Sequence, residues 1–134
     1  MFIFLIINKK FSEGIGGLNF VYDGEKSEKY FIDTIKALCN HSMKTLNRNN
    51  MYSCFNVLFE CNEMVESQNE NQKYYPQLHA MVLNNLGCAY RRINKHKKAY
   101  QYLKQALKIV FKYKIENLLG LTYVNLCSVT SQMG

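Results

Sequence analysis

Glycine and proline are almost absent from the body of this chain. Between Glu25 and Met133 there is one proline, Pro76, and two glycines, Gly87 and Gly120. The other glycines are Gly14, Gly16, Gly17, Gly24 and Gly134. These residue types are the strongest local interrupters of regular backbone. Inside a helix, Gly costs about 1 kcal/mol and Pro about 3 kcal/mol relative to Ala. So long a stretch without them predicts an all-α fold. Residues 1–26 differ. They hold the apolar run Phe2–Ile7, the Gly-rich Glu13–Gly17 and Leu18–Tyr22, and read as a short irregular or β-like segment.

Apolar spacing divides the remainder into five helical stretches. The first is Ser27–Leu46, with Ser27 as its N-cap and Phe31, Ile35, Leu38 and Ser42 on one face. Asn47–Asn50 breaks it. The second is Met51–Ser67, with Phe55, Leu58, Cys61 and Val65 as its stripe, followed by the polar loop Gln68–Lys73. Pro76 suits the first turn of the third, Pro76–Arg92. After a tight turn at Asn94 come Lys95–Tyr113 and Glu116–Met133. The short connections predict antiparallel hairpins. With 134 residues, 48% of them hydrophobic, the chain suits one domain with a modest core.

Self-similarity sharpens this. Asn85-Leu86-Gly87-Cys88-Ala89-Tyr90 is echoed forty residues later by Asn125-Leu126-Cys127-Ser128-Val129-Thr130, and Asn94 then aligns with Gly134. Leu83-x-x-Leu86-Gly87-x-x-Tyr90 followed by Ala99-x-x-x-Leu103-x-x-Ala106 resembles the tetratricopeptide repeat, in its longer kinesin-light-chain-like class. Leu83 replaces that family's Trp, Leu103 its Phe, and Phe111 stands where the family has Pro. The small Gly87 and Ala99 fit a close approach of two helices. An earlier degenerate unit places Cys54, Leu58 and Cys61 where Ala99, Leu103 and Ala106 stand. The organisation read from this is a helical repeat domain over residues 27–134. It comprises a degenerate repeat at 27–67, a well-matched one at 76–113 and an incomplete one at 116–134. The extra length of the forty-residue period is expected in the link Lys112–Asn117 and the adjoining helix ends.

The resemblance implies a right-handed α-solenoid whose first helices line a concave groove. It implies a scaffold or adaptor that binds a peptide segment there. The groove residues would be Met81, Asn84, Asn85, Cys88, Arg91 and Arg92 on the third helix and Leu121, Val124, Asn125, Ser128, Ser131 and Gln132 on the fifth. Asn85 and Asn125 stand first among them, because an amide offers donors and an acceptor to a peptide backbone. The lysine–arginine clamp by which some family members hold a chaperone's C-terminal carboxylate is not met, since Leu121 and Asn125 occupy its places. The apolar face of the last helix invites self-association.

The net charge of +7 raises a second reading. Lys95, Lys97, Lys98, Lys104, Lys108 and Lys112 make the helix at 95–113 basic, suited to an anionic surface or nucleic acid. No nucleophile motif, phosphate loop or acid–base pair is visible, so catalysis is not expected. The five cysteines form no C-x-x-C pair and no zinc-spaced cluster with His41, His79 or His96. They read as small buried apolar residues in a reducing, cytoplasmic setting, with neither cofactor nor metal expected. The run Phe2–Ile7 is too short to span a membrane, which takes about 20 apolar residues.

Overall fold

The computed structural model describes residues 24–70 and 74–134, and all of their regular structure is helical. The helices are α1 (Gly24–Thr45), α2 (Met51–Glu70), α3 (Pro76–Arg92), α4 (His96–Lys112) and α5 (Glu116–Met133). The first helix starts at Gly24 rather than Ser27, so Ser27 is an interior residue and not an N-cap. Residues 24–26, assigned by the sequence to the irregular segment, are helical. The remainder of that segment, 1–23, lies outside the described residues. The second helix runs to Glu70, into the stretch read as a polar loop.

Two turns are built alike. After α3, the Asn94 amide donates to the Arg91 carbonyl and the Lys95 amide to the Tyr90 carbonyl. After α4, Lys114 donates to Phe111 and Ile115 to Val110. Asn94 and Lys114 sit in the left-handed region at φ 61° and 53°. This is the Schellman arrangement, which satisfies carbonyls left open at a helix end. Both links are three residues long, Ile93–Lys95 and Tyr113–Ile115. The extra length of the forty-residue period therefore lies in helices of 17 residues each, not in the link. Asn94 suits its backbone, whereas Lys114 adopts the same conformation without the help of a short amide side chain. Lys114→Gly is expected to stabilise the protein by about 0.5–1 kcal/mol, because glycine enters this region at no steric cost. A thermal melt would register it as a raised midpoint.

The break after α1 is made by asparagines. The Asn47 side chain accepts from the Asn49 and Asn50 amides at 2.8 and 3.2 Å and donates to the Thr45 carbonyl at 3.2 Å. Asn50 also donates to Thr45 and accepts from the Asn47 amide. Such local bonds offer the backbone an alternative to continued helix.

Helices α1, α3 and α5 pack side by side. Helix α2 lies against α1 and α3, and α4 lies against α3 and α5. The core runs through Ile35, Cys39, Leu58, Val65, Leu83, Leu86, Leu103 and Val129. On α1 Ile35 and Cys39 are fully buried, with Leu38 only half-buried beside Cys39. Cys54 and Cys61 are buried, as expected of small apolar residues. Cys88 is half-buried and Cys127 exposed, against that expectation. An aromatic cluster joins α2 to the next hairpin: Phe55 meets Tyr90 at 4.6 Å between ring centres, and Tyr90 stacks on Tyr102 at 5.5 Å. Opposite, Gly87 lets α3 approach α4. A β-carbon there would lie 2.5 Å from Leu103 Cγ and 3.3 Å from the Ala99 carbonyl oxygen.

Candidate functional site

The residues singled out by the resemblance separate into three groups. The first is turned inward. Asn84 Nδ2 donates to the Ala80 carbonyl at 3.1 Å and to Thr122 Oγ1 at 2.9 Å, and Asn125 Nδ2 donates to Asn84 Oδ1 at 3.3 Å. Thr122 in turn donates to the Leu118 carbonyl at 2.7 Å. Asn84, Thr122 and Asn125 are all buried. This polar chain fastens α5 to α3. A buried amide is costly unless it is bonded, and these two amides bond mainly to each other and to Thr122. Asn84 and Asn125 are therefore structural, which removes them from the groove.

The second group forms a basic end of α3. Arg92 Nη1 donates to the Met43 carbonyl at 2.6 Å, so its guanidinium covers one of the open carbonyls at the end of α1. Arg91 and Arg92 both act on Cys88. Burial pushes the Cys88 thiol upward, and the two positive charges oppose that rise. Asn85 is half-buried and turned toward α1, where its side chain and the Cys61 thiol hold the Cys39 thiol below its ordinary value, against burial. Cys61 is pushed up in turn, by Cys39 and by its own burial. Asn85 and Asn125, aligned in sequence, thus face different neighbours.

The third group stays open. Leu121 is 52% exposed, next to Val124 at 64%, and Ser128 is half-buried. Leu121 does not join the buried chain of Thr122 and Asn125.

The clearest concavity lies elsewhere. A cavity of about 400 Å³ opens where α1 and the starts of α3 and α5 meet. Ile32 and Lys36 come from α1. Pro76, Leu78 and Met81 come from α3, with Tyr74 and Tyr75 just before it. Asn117 and Leu118 come from α5. Its walls are mostly apolar. Lys36 is its one charged residue, and Gln77 and Asn117 supply exposed amides at its rim. Tyr75 is held by Phe31, 5.4 Å away between ring centres. Of the groove residues predicted from the repeat, Met81 alone lines this cavity. Ile32 and Lys36 lie off the apolar stripe of α1, and nothing in the spacing of residues along one helix sets the rotation of α1 against α3.

On α4, Lys98 lies over Tyr90, Lys104 over Tyr100 and Lys112 over Tyr113, each 5.3–5.4 Å from the ring centre. Among the described residues no group of three His, Cys, Asp or Glu side chains could hold a metal ion. No described helix is long and apolar enough to cross a membrane. No protein-family model matches the chain, and no curated protein or solved structure matches it.

Proposed function

We propose that this chain is a scaffold of the tetratricopeptide-repeat type that binds an extended peptide segment in the groove between α1, α3 and α5. The observation that carries this reading is the 400 Å³ cavity. Three successive first helices contribute to it, which is the geometry a repeat array offers to a ligand. Its apolar wall of Ile32, Leu78, Met81 and Leu118 suits an apolar anchor side chain. Lys36 suits an acidic neighbour of that anchor. Gln77 and Asn117 take the part first assigned to Asn85 and Asn125, since a primary amide can pair with a peptide backbone of any sequence.

A displayed random-peptide library panned against the protein tests this. Binders are expected to pair an acidic residue with an apolar one. Met81→Glu should weaken them about 10–100-fold, the worth of one well-buried apolar side chain. Lys36→Glu, on an exposed position, should reverse the preference for acidic sequences. Binders indifferent to both variants, with helical content unchanged, would sink the groove reading.

The second reading, an anionic surface or nucleic acid held along the basic helix at 95–113, rests on the lysines of α4. It predicts affinity that falls steeply with added salt. The rings of Tyr90, Tyr100 and Tyr113 are already covered by lysines, which leaves less aromatic surface for base stacking.

A further inference from the structure

A second cavity, of about 270 Å³, lies where α2 and α4 meet the start of α3. Around it stand Glu66 of α2, Tyr74 and His79, and Lys108, Lys112 and Tyr113 at the end of α4. It is distinct from the groove, although Tyr74 borders both.

Its polar groups are arranged in a defined order. Tyr74 Oη lies 2.8 Å from His79 Nδ1. Burial, with the nearby Tyr113 and Glu66, pushes the Tyr74 hydroxyl up to about 12, so it keeps a proton that it can donate to Nδ1. Burial also lowers His79, despite the opposing pull of Glu66, which favours the neutral ring. A neutral imidazole that accepts at Nδ1 carries its proton on Nε2. That Nε2 is buried and has no hydrogen-bond partner. The nearest acceptor, Glu66 Oε1, is 3.6 Å away, too far for a hydrogen bond. A buried polar nitrogen without a partner is uncommon and costly. Lys108 and Lys112 sit one helical turn apart on the same rim, and neither forms an ion pair among the described residues. Lys112 lies over the face of Tyr113, 5.3 Å from its ring centre.

We propose that this cavity binds a phosphate group, held by Lys108, Lys112 and the Nε2–H of His79. Two lysines of α4 and the unpartnered Nε2 of His79 line one cavity, and a tetrahedral oxyanion can offer separate oxygens to each. Glu66 opposes any anion. Set against two lysines it leaves the cavity one positive charge, from which a dianion gains about twice what a monoanion does. That favours phosphate over carboxylate.

The test is an NMR titration of the His79 ring with inorganic phosphate, with chloride at equal ionic strength as the control. A saturable shift with phosphate alone is expected. Lys108→Gln with Lys112→Gln should weaken it at least about tenfold. Lys97→Gln with Lys104→Gln, an equal loss of charge on the same helix away from the cavity, should leave it nearly unchanged. Glu66→Gln should tighten it. All these positions are exposed, so the fold is spared. Two sources share this chemistry. Binding to vesicles of phosphatidic acid in phosphatidylcholine, lost in the Lys108/Lys112 variant, would assign a lipid headgroup. Phosphate binding without vesicle binding would assign a soluble phosphate. The absence of a saturable shift, the same shift with chloride, or equal weakening by both lysine pairs would overturn the proposal.

Discussion

Gly87→Val is expected to destabilise the protein by about 3 kcal/mol. A β-carbon at this position would lie 2.5 Å from Leu103 Cγ and 2.7 Å from Leu103 Cδ2. Leu103 is fully buried between the helices, so its branch point cannot swing away into solvent. Overpacking of this kind costs about 1–3 kcal/mol per site and sometimes more, and the branched valine recovers only part of the glycine's helix penalty. At this chain length the melting midpoint should fall by roughly 10 °C. The cause can be isolated with a smaller side chain. Gly87→Ala should cost about 1 kcal/mol, since its clash outweighs the gain in helix propensity. Leu103→Ala alone should cost about 2–5 kcal/mol by leaving a cavity. Together they should cost less than the sum, because the added methyl then fills space that Leu103 vacated. A double-mutant cycle measures this coupling directly. Additive costs would show that Gly87 is required for some reason other than the approach of α4.

Asn84→Asp is expected to be the most damaging change that preserves shape, at about 3–5 kcal/mol near neutral pH. The Asn84 amide nitrogen donates twice, to the Ala80 carbonyl and to Thr122 Oγ1, and neither partner donates back without the Thr122 hydroxyl giving up its bond to the Leu118 carbonyl. A carboxylate would face two acceptors from a buried site, retaining only the bond from Asn125. A buried charge left without compensation costs about that much. Protonation restores one donor, so the variant's stability should recover as the pH falls through its raised carboxyl pKa. Chemical denaturation at two pH values checks both parts. A variant as stable as the parent at neutral pH would mean that Asn84 reaches solvent.

These two variants mark the limits of what the sequence discloses. The close approach of α3 and α4 at Gly87 and Ala99 was legible, though not that Leu103 fills the space against Gly87. A glycine followed by Ala99, Leu103 and Ala106 at helical spacing leaves few other reasons for so small a residue in mid-helix. The bounds of α3 and α5 were legible too, since Pro76 can only open a helix here and Asn94 accepts the left-handed turn that closes one. Lys114 carries no such signal, yet the same turn forms there because the backbone bonds from Lys114 and Ile115 outweigh the strain at one residue.

The amides show why the site was harder. Asn84 and Asn85 are neighbours in sequence but lie about 100° apart around the helix. Which of them faces α5 depends on how α3 is rotated between its neighbours. Packing set that rotation so that Asn84 meets Thr122 and Asn125, while Asn85 is left toward Cys39. The forty-residue echo could align Asn85 with Asn125 but could not say that they point at different partners.

By itself, then, the sequence determined that this chain is helical, where most helices begin and end, and where two of them must touch. All three follow from local backbone chemistry and from spacing along a single helix. Which amides are buried, which side chains join Met81 around the cavity at Ile32, Lys36 and Leu118, and how His79 comes to share a cavity with two lysines from α4 were decided by the tertiary structure alone. Each depends on the relative rotation of helices distant in sequence, and that rotation is fixed only when their side chains pack together.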